Sequence, residues 1–356
     1  MFARRTFFQL ALGAAGARLL QTSPPRENSP IVDGLGEVRV EYDAALVDEI
    51  RASGLRACVV TLGNPAVHGP EAWDSVREEH AAYEGHIRNN PDRLLKATSS
   101  SGIAEAAASQ RIALLYYLQN ASPIQENLEV LATLGQWGVR VIQLTYNTRN
   151  LLGDGCLERT NAGLSKFGLE VVERMNVLDI VVDVSHCGET TTLEGIQHSK
   201  KPSAITHSGC KAVYDHPRNK SDEALRTLAK RGGVVGIYQI NPYLGPRERN
   251  TLDDYLAHVD HAVKVAGIEH VGIGSDREYR SIPDTPEEKQ KLIEELSRLR
   301  PVTAATFRWP FFISELNHPR RMETIARALE RRSYSSAQRD KIMGGNWMRF
   351  FRDTIG

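Results

Sequence analysis

The feature that most restricts this chain is a rhythm. Eight short apolar or β-branched runs, Ile31–Val32, Ala57–Leu62, Ala113–Leu118, Arg140–Thr145, Ile180–Ser185, Ser203–Thr206, Val234–Gln239 and Val271–Gly274, alternate with segments of helical character. In those segments apolar residues recur with a period near 3.6, most clearly at Leu164, Phe167, Val171, Val172 and Met175. A strand buried on both faces reads as a continuous apolar run, so the repeated strand-then-helix unit predicts a closed parallel (β/α)8 TIM-like barrel. The competing architecture, an open doubly wound sheet, would place a glycine fingerprint after its first strand, and none is there. Leu94–Ser99 is a ninth run, read as a short extra strand.

Composition narrows the function classes. With 41% hydrophobic and 25% charged residues the 356-residue chain has the material for a large core. Lys+Arg and Asp+Glu both number 44, so no global basic field holds it on phosphate backbones, and nucleic acid is excluded as a general partner. The first 25 residues depart from this balance: they carry Arg4, Arg5 and Arg18 and no acid. The arginine pair precedes an apolar stretch from Phe7 to Ala17, well short of the roughly 20 residues a membrane-crossing helix needs. Residues 1–27 are therefore read as a twin-arginine-type export signal, and 28–356 as one domain destined for the bacterial periplasm or otherwise exported. No later segment is apolar enough to span a membrane. Cys58, Cys156, Cys187 and Cys210 form no CxxC pair, which removes a thiolate zinc site.

In a barrel of this kind the chemistry sits where strands run into loops at their carboxyl ends. Val182-Asp183-Val184-Ser185-His186 ends one strand in a histidine, Ala204-Ile205-Thr206-His207-Ser208 does so on the next, and Gly272-Ile273-Gly274-Ser275-Asp276 ends the last in an aspartate. Two neutral imidazoles on adjacent strand ends suit a divalent cation such as zinc. An aspartate across the mouth would ligate the metal or take a proton from its bound water, whose pKa the metal lowers toward about 7.

These segments, with GVRVIQLTYNTRN (138–150), GLSKFGLEVVERMN (163–176), PSAITHSGCKAVYDHPRNKSDEAL (202–225), GGVVGIYQI (232–240), HVGIGSD (270–276) and IMGGNWMRFF (342–351), resemble the renal or membrane dipeptidase family, a branch of the amidohydrolase-like metal-dependent hydrolases. The resemblance implies hydrolysis of dipeptides with two zinc ions. Carried over by position, it implies that His186 and His207 hold one zinc, that Arg218 binds the substrate carboxylate or the developing oxyanion, and that Asp276 manages protons. Tyr146 stands where some members have a substrate-side histidine, and with Asn147 it is a candidate substrate contact.

The other half of the implied site departs from the pattern. Where the family's first strand ends in His-x-Asp, this chain has Leu35-Gly36-Glu37, and where a bridging glutamate is expected it has Gln119. Glu37 and Gln119 remain candidate oxygen ligands, but the set offers too little negative charge for two adjacent dications. The expectation is zinc-dependent hydrolysis of a dipeptide or similar small amide through a mononuclear site. The alternatives are an inactive exported binding protein that keeps the dipeptidase pocket, and different chemistry on a related carboxylate or amide.

Three further features are read on their own terms. Arg277-Glu278-Tyr279-Arg280 replaces the family's usual Phe-Asp-Gly and puts two arginines at the barrel mouth, either selecting an anionic substrate group or pairing with Glu278 and solvent. Residues 282–300 form a polar loop and charged helix, with Thr285 as N-cap, that either covers the mouth or packs in a homodimer. His80, His86, His258 and His261 are expected on solvated helix surfaces.

Overall fold

The computed structural model describes residues 29–297 and 308–356; the expected export signal lies outside the described residues. Nine parallel strands run in chain order as β1 (Ile31–Asp33), β2 (Leu55–Thr61), β3 (Leu94–Lys96), β4 (Ile112–Leu118), β5 (Val139–Gln143), β6 (Val181–Asp183), β7 (Ala204–Ser208), β8 (Val234–Ile237) and β9 (Val271–Ile273). The sheet order is β2-β1-β9-β8-β7-β6-β5-β4-β3, and pairing of β2 with β4 closes eight of them into a barrel with β3 outside on β4. The eight apolar runs of the sequence are those eight strands, and the ninth run is β3.

The alternation of side chains along each strand explains the closure. Val32, Ala57, Val59, Ala113, Leu115, Tyr117, Val141, Val181, Ala204 and Val234 form one buried cluster inside the ring, while Cys58, Val60, Leu114, Tyr116, Ile142 and Val182 face the helices in another. The helix Asn346–Ile355 adds Trp347, Phe350 and Phe351 to the inner cluster. It does so at the amino ends of the strands, where Asn346 Nδ2 donates to Ile268 O and Val271 O at 2.7 Å. One end of the barrel is thereby plugged, and chemistry is confined to the carboxyl ends. Gly274 is required there, because a Cβ would run into the carbonyl oxygen of Thr206.

The seam between first and last strands is locked by a buried ionic cluster. Asp33 Oδ1 accepts from Ser275 N (2.8 Å), and its Oδ2 accepts from Ser275 Oγ (2.5 Å) and Tyr279 OH (2.8 Å). Arg321 stacks 3.5 Å over the Tyr279 ring and donates to Ser275 Oγ, Arg277 O and Glu278 O. Burial pushes the Asp33 carboxyl up, and the nearby Arg321 charge opposes that. A carboxylate and a guanidinium sealed in a core persist only when paired and hydrogen-bonded in this way. Among the described residues no helix is long and apolar enough to cross a membrane.

Three histidines expected on solvated surfaces are placed elsewhere. His258 is completely buried, its Nδ1 accepting from Cys210 N (2.8 Å) and its Nε2 donating to Leu244 O (3.0 Å). His80 stacks on Trp137 with ring centroids 4.8 Å apart, and His86 is buried. All three lie on helix faces turned to the barrel, which local sequence spacing does not reveal. His261 is half-buried against Asp222, at 2.7 Å.

Candidate active site

The carboxyl ends of the strands surround a cavity of about 390 Å³ lined by, among others, Glu37, Thr61, Gln119, Tyr146, Asn147, His186, Asp276 and Arg277. The residues singled out in the sequence thus come largely together. His207 and Arg218 sit immediately beneath this wall, both almost fully buried.

His186 Nε2 and His207 Nε2 stand 2.9 Å apart. The tautomers follow from the groups behind them. His186 Nδ1 lies 2.8 Å from Asn147 Oδ1, an acceptor only, so Nδ1 carries the proton. His207 Nδ1 lies 2.9 Å from Thr206 Oγ1, whose single proton is donated to Asp183 Oδ2 at 2.9 Å, so this Nδ1 is also the donor. Both Nε2 atoms therefore present lone pairs toward one point. Two nitrogens each about 2.0–2.1 Å from one tetrahedral zinc stand about 3.3–3.4 Å apart, so the two rings come to share one cation by parting a few tenths of an ångström. Burial, reinforced by Arg218 and Lys220, holds the His207 pKa well below the usual histidine value, keeping the ring neutral as a ligand must be.

Sequence reasoning missed what holds these rings. Asp183 is fully buried and accepts from Ser185 N and Oγ, Thr206 N and Oγ1, and Tyr117 OH. Gln143 Oε1 accepts from His186 N (3.2 Å) and lies 3.0 Å from Tyr117 OH, whose one proton goes to Asp183, while its Nε2 donates to the carbonyls of Gln119 and Thr145. The available signal was an acid and an amide inside otherwise apolar strand runs, which burial forces to find partners. Tyr146 stacks on His186 with ring centroids 4.2 Å apart. Asn147 and Asp276 both adopt positive φ, at 34° and 54°, a backbone region that Asn and Asp tolerate better than other side chains.

Arg218 is committed to the main chain. Its Nη1 donates to Ser185 O (2.5 Å) and its Nη2 to His207 O (3.3 Å), and its guanidinium lies 5.7 Å from the Tyr238 ring centroid. It fastens the ends of the two histidine-bearing strands to each other. Asp276 receives no hydrogen bond on its carboxylate among the described residues. Burial raises its pKa to about 7, with Arg218 and Arg277 pulling the other way.

Leu35, Glu37 and Gln119 sit in an arrangement of their own. Leu35 is fully buried in the inner core. Gln119 Nε2 donates to Thr61 Oγ1 (2.8 Å), which donates to Glu37 Oε1 (3.1 Å), and burial raises the Glu37 pKa to about 8. A carboxyl that is largely protonated and an amide make a weak ligand pair for a dication. Among the described residues no group of three or more His, Cys, Asp and Glu side chains forms a metal-binding cluster. The charged helix beyond the last strand begins as expected, with Glu288 N donating to Thr285 Oγ1 (3.3 Å), and it covers the mouth, since Ile282 and Leu292 line the cavity.

A family model described as membrane dipeptidase (Peptidase family M19) matches residues 44–308. Dipeptidase verJ of Clonostachys rogersoniana is 37% identical over 53% of this chain, and an uncharacterized dipeptidase of Schizosaccharomyces pombe is 29% identical over 74% of it. The chain spans only 49% and 58% of those two proteins. The structure is similar to that of an amidohydrolase from Pseudomonas aeruginosa, with TM-score 0.79 and 30% identity over 92% of this chain and 97% of that one. It shares its fold with a metallo peptidase from Rhodobacter sphaeroides liganded with a phosphinate mimic of the dipeptide L-Ala-D-Ala, with TM-score 0.71 and 18% identity over 92% of this chain and 100% of that one. With residues 44–308 matched on a barrel of amidohydrolase type, the chain belongs to the membrane dipeptidase family, Peptidase family M19.

Proposed function

We propose that this protein is an exported, zinc-dependent dipeptidase that works with one metal ion, held by His186 and His207. Membership of a metallopeptidase family supports metal-dependent hydrolysis, and two Nε2 atoms 2.9 Å apart, each with its Nδ1 occupied by an acceptor, carry the single-site conclusion. Bound zinc supplies a Lewis acid and lowers the pKa of water toward neutrality. The chain's own residues do the rest. Asp276, with its carboxylate uncommitted and facing the cavity, accepts the proton of the attacking water and returns it to the leaving amine. Asn147 and Tyr146 hold the His186 ring in place, and Arg218 keeps the two strand ends in register. Gln119 Oε1 has no partner among the described residues and is offered to the cavity, as a further oxygen donor to metal or substrate. A cavity of about 390 Å³ suits a dipeptide or similar small amide. The Arg4-Arg5 segment supports export to the periplasm.

Elemental analysis of the full chain exported with its own signal tests this reading, paired with a dipeptide panel. About one zinc per chain with cleavage is the expected result. No zinc, and no cleavage under added zinc, would leave an exported peptide-binding protein in place of the hydrolase.

A further inference from the structure

Arg277 follows the proposed proton acceptor directly and lines the same cavity, with only 8% of its surface exposed. Its backbone is fixed, because its carbonyl accepts from Glu37 N (3.0 Å) and Arg321 Nη2 (2.9 Å). Its guanidinium lies 5.5 Å from the Phe312 ring centroid and, among the described residues, makes no hydrogen bond and no ion pair. Of the other charges nearby, Asp276 attracts Arg277 only at a distance, with no hydrogen bond or ion pair between them, and most of the rest are occupied. Glu278 is paired with Arg39 (3.3 Å) and with Arg280 (2.5 Å), and Arg280 also bonds Glu288 (2.6 Å). Glu79 Oε2 accepts from Gly63 N (2.7 Å), and Arg218, which does not line the cavity, gives Nη1 and Nη2 to main-chain carbonyls while its buried Nε has no hydrogen-bond partner among the described residues. Of the two mouth arginines, Arg280 is thus the one that pairs with Glu278, and Arg277 is not.

A guanidinium nine-tenths buried without a partner is costly, and its planar fork of donors is complementary to a carboxylate. Resting on the dipeptidase reading for the identity of the reacting amide, we propose that Arg277 is the anion receptor of this cavity and that the favoured substrate presents a carboxylate to it. That carboxylate is either the C-terminal one or an acidic side chain. Arg277 is then a specificity-determining residue at a position where the family pattern has none.

The test uses the full chain, wild type and Arg277→Met, with Arg277→Lys as the charge-conserving variant. Two matched pairs separate the sources: Gly-Glu against Gly-Gln for the side chain, and Gly-Gln against Gly-Gln amide for the C-terminus. KM and kcat are measured for each, and calorimetric binding is measured with metal-stripped protein. In one pair Arg277→Met should weaken the carboxylate-bearing member by about tenfold or more, mainly in KM and Kd, and leave its neutral partner within about twofold. Arg277→Lys should retain part of the discrimination. Equal effects on all three compounds, or none, would overturn the proposal. If Arg277→Met does not fold, diminished discrimination in Arg277→Lys supports the assignment, because a point charge replaces a bidentate fork, and undiminished discrimination in both pairs overturns it. Selective calorimetric binding without cleavage would uphold Arg277 and sink the hydrolase reading, whereas cleavage indifferent to Arg277 would do the reverse.

Discussion

Replacing Asp183 by asparagine should switch the tautomer of a histidine it never touches. Asp183 Oδ1 accepts from two backbone amides, Ser185 N (3.3 Å) and Thr206 N (2.9 Å), whose direction cannot reverse. The asparagine carbonyl must therefore take that side, and its NH2 must face Thr206 Oγ1 and Tyr117 OH, which now donate at 2.9 and 2.5 Å. Both hydroxyls have to turn. Thr206 then gives its proton to His207 Nδ1, 2.9 Å away, and His207 carries its own proton on Nε2 instead. That Nε2–H meets the His186 Nε2 lone pair at 2.9 Å and satisfies the pair without any metal. Two bonds to a buried carboxylate are exchanged for weaker neutral ones, a loss of about 2–3 kcal/mol in stability. Outer-shell changes of this kind weaken metal binding about 10–100-fold. Zinc affinity is read by competition with a chromophoric chelator, stability by urea denaturation, and the tautomer by imidazole 15N shifts of metal-free protein. Unchanged zinc affinity, or a His207 still protonated at Nδ1 in the variant, would refute the reasoning.

Other consequences follow from groups away from the cavity or from its altered half. Asp154 accepts from Arg149 Nε (2.6 Å), Thr160 Oγ1 (2.8 Å) and Ala162 N (2.6 Å), with Arg149 foremost in lowering its pKa to about 2. Its contribution is present above the unfolded carboxyl pKa and is lost as pH falls through about 2; with Arg149 half exposed, Asp154→Asn should cost about 1–2 kcal/mol at pH 7 and almost nothing near pH 2, by urea midpoints. Burial holds the His258 pKa at about 4, against which Leu244 O and Asp254 act weakly and the His261 charge acts in the same direction as burial. The unfolded chain binds this proton first, so wild-type stability should fall by about 3 kcal/mol between pH 7 and pH 4 on this account, a slope that His258→Gln removes. The combined change Leu35→His, Glu37→Asp and Gln119→Glu should raise bound zinc from about one to about two per chain, read by elemental analysis. A content that stays at one would show that the first-strand side chains are not what limits the metal count.

Much of the barrel was legible because its physics is local. A strand covered on both faces reads as a mostly apolar run, so eight such runs mark eight strands, whereas Leu94–Lys96, outside the ring on β4 with only Leu94 buried, gives a weaker sign of the same kind. His186, His207 and Asp276 were legible too, since polar residues that end such runs lie at the rim where strands meet loops. The partners that give them their chemical state were not. Thr206 is adjacent to His207, but the Asp183 that decides its proton lies 23 residues away, and Asp33 and Ser275 meet across 242 residues. Nor does local spacing distinguish a histidine facing the barrel, such as His258, from one facing water.

The amino-acid sequence by itself determined the closed barrel, the end of it that carries chemistry, and the presence of Leu35, Glu37 and Gln119 where two of its strands end. Only the tertiary structure decided that both Nε2 lone pairs converge, that Arg218 ties its Nη1 and Nη2 to backbone carbonyls, and that Arg277 makes no hydrogen bond or ion pair among the described residues. The reason is physical: burial depends on local pattern, whereas proton placement and ion pairing depend on atoms that chain closure brings within about 3 Å of one another.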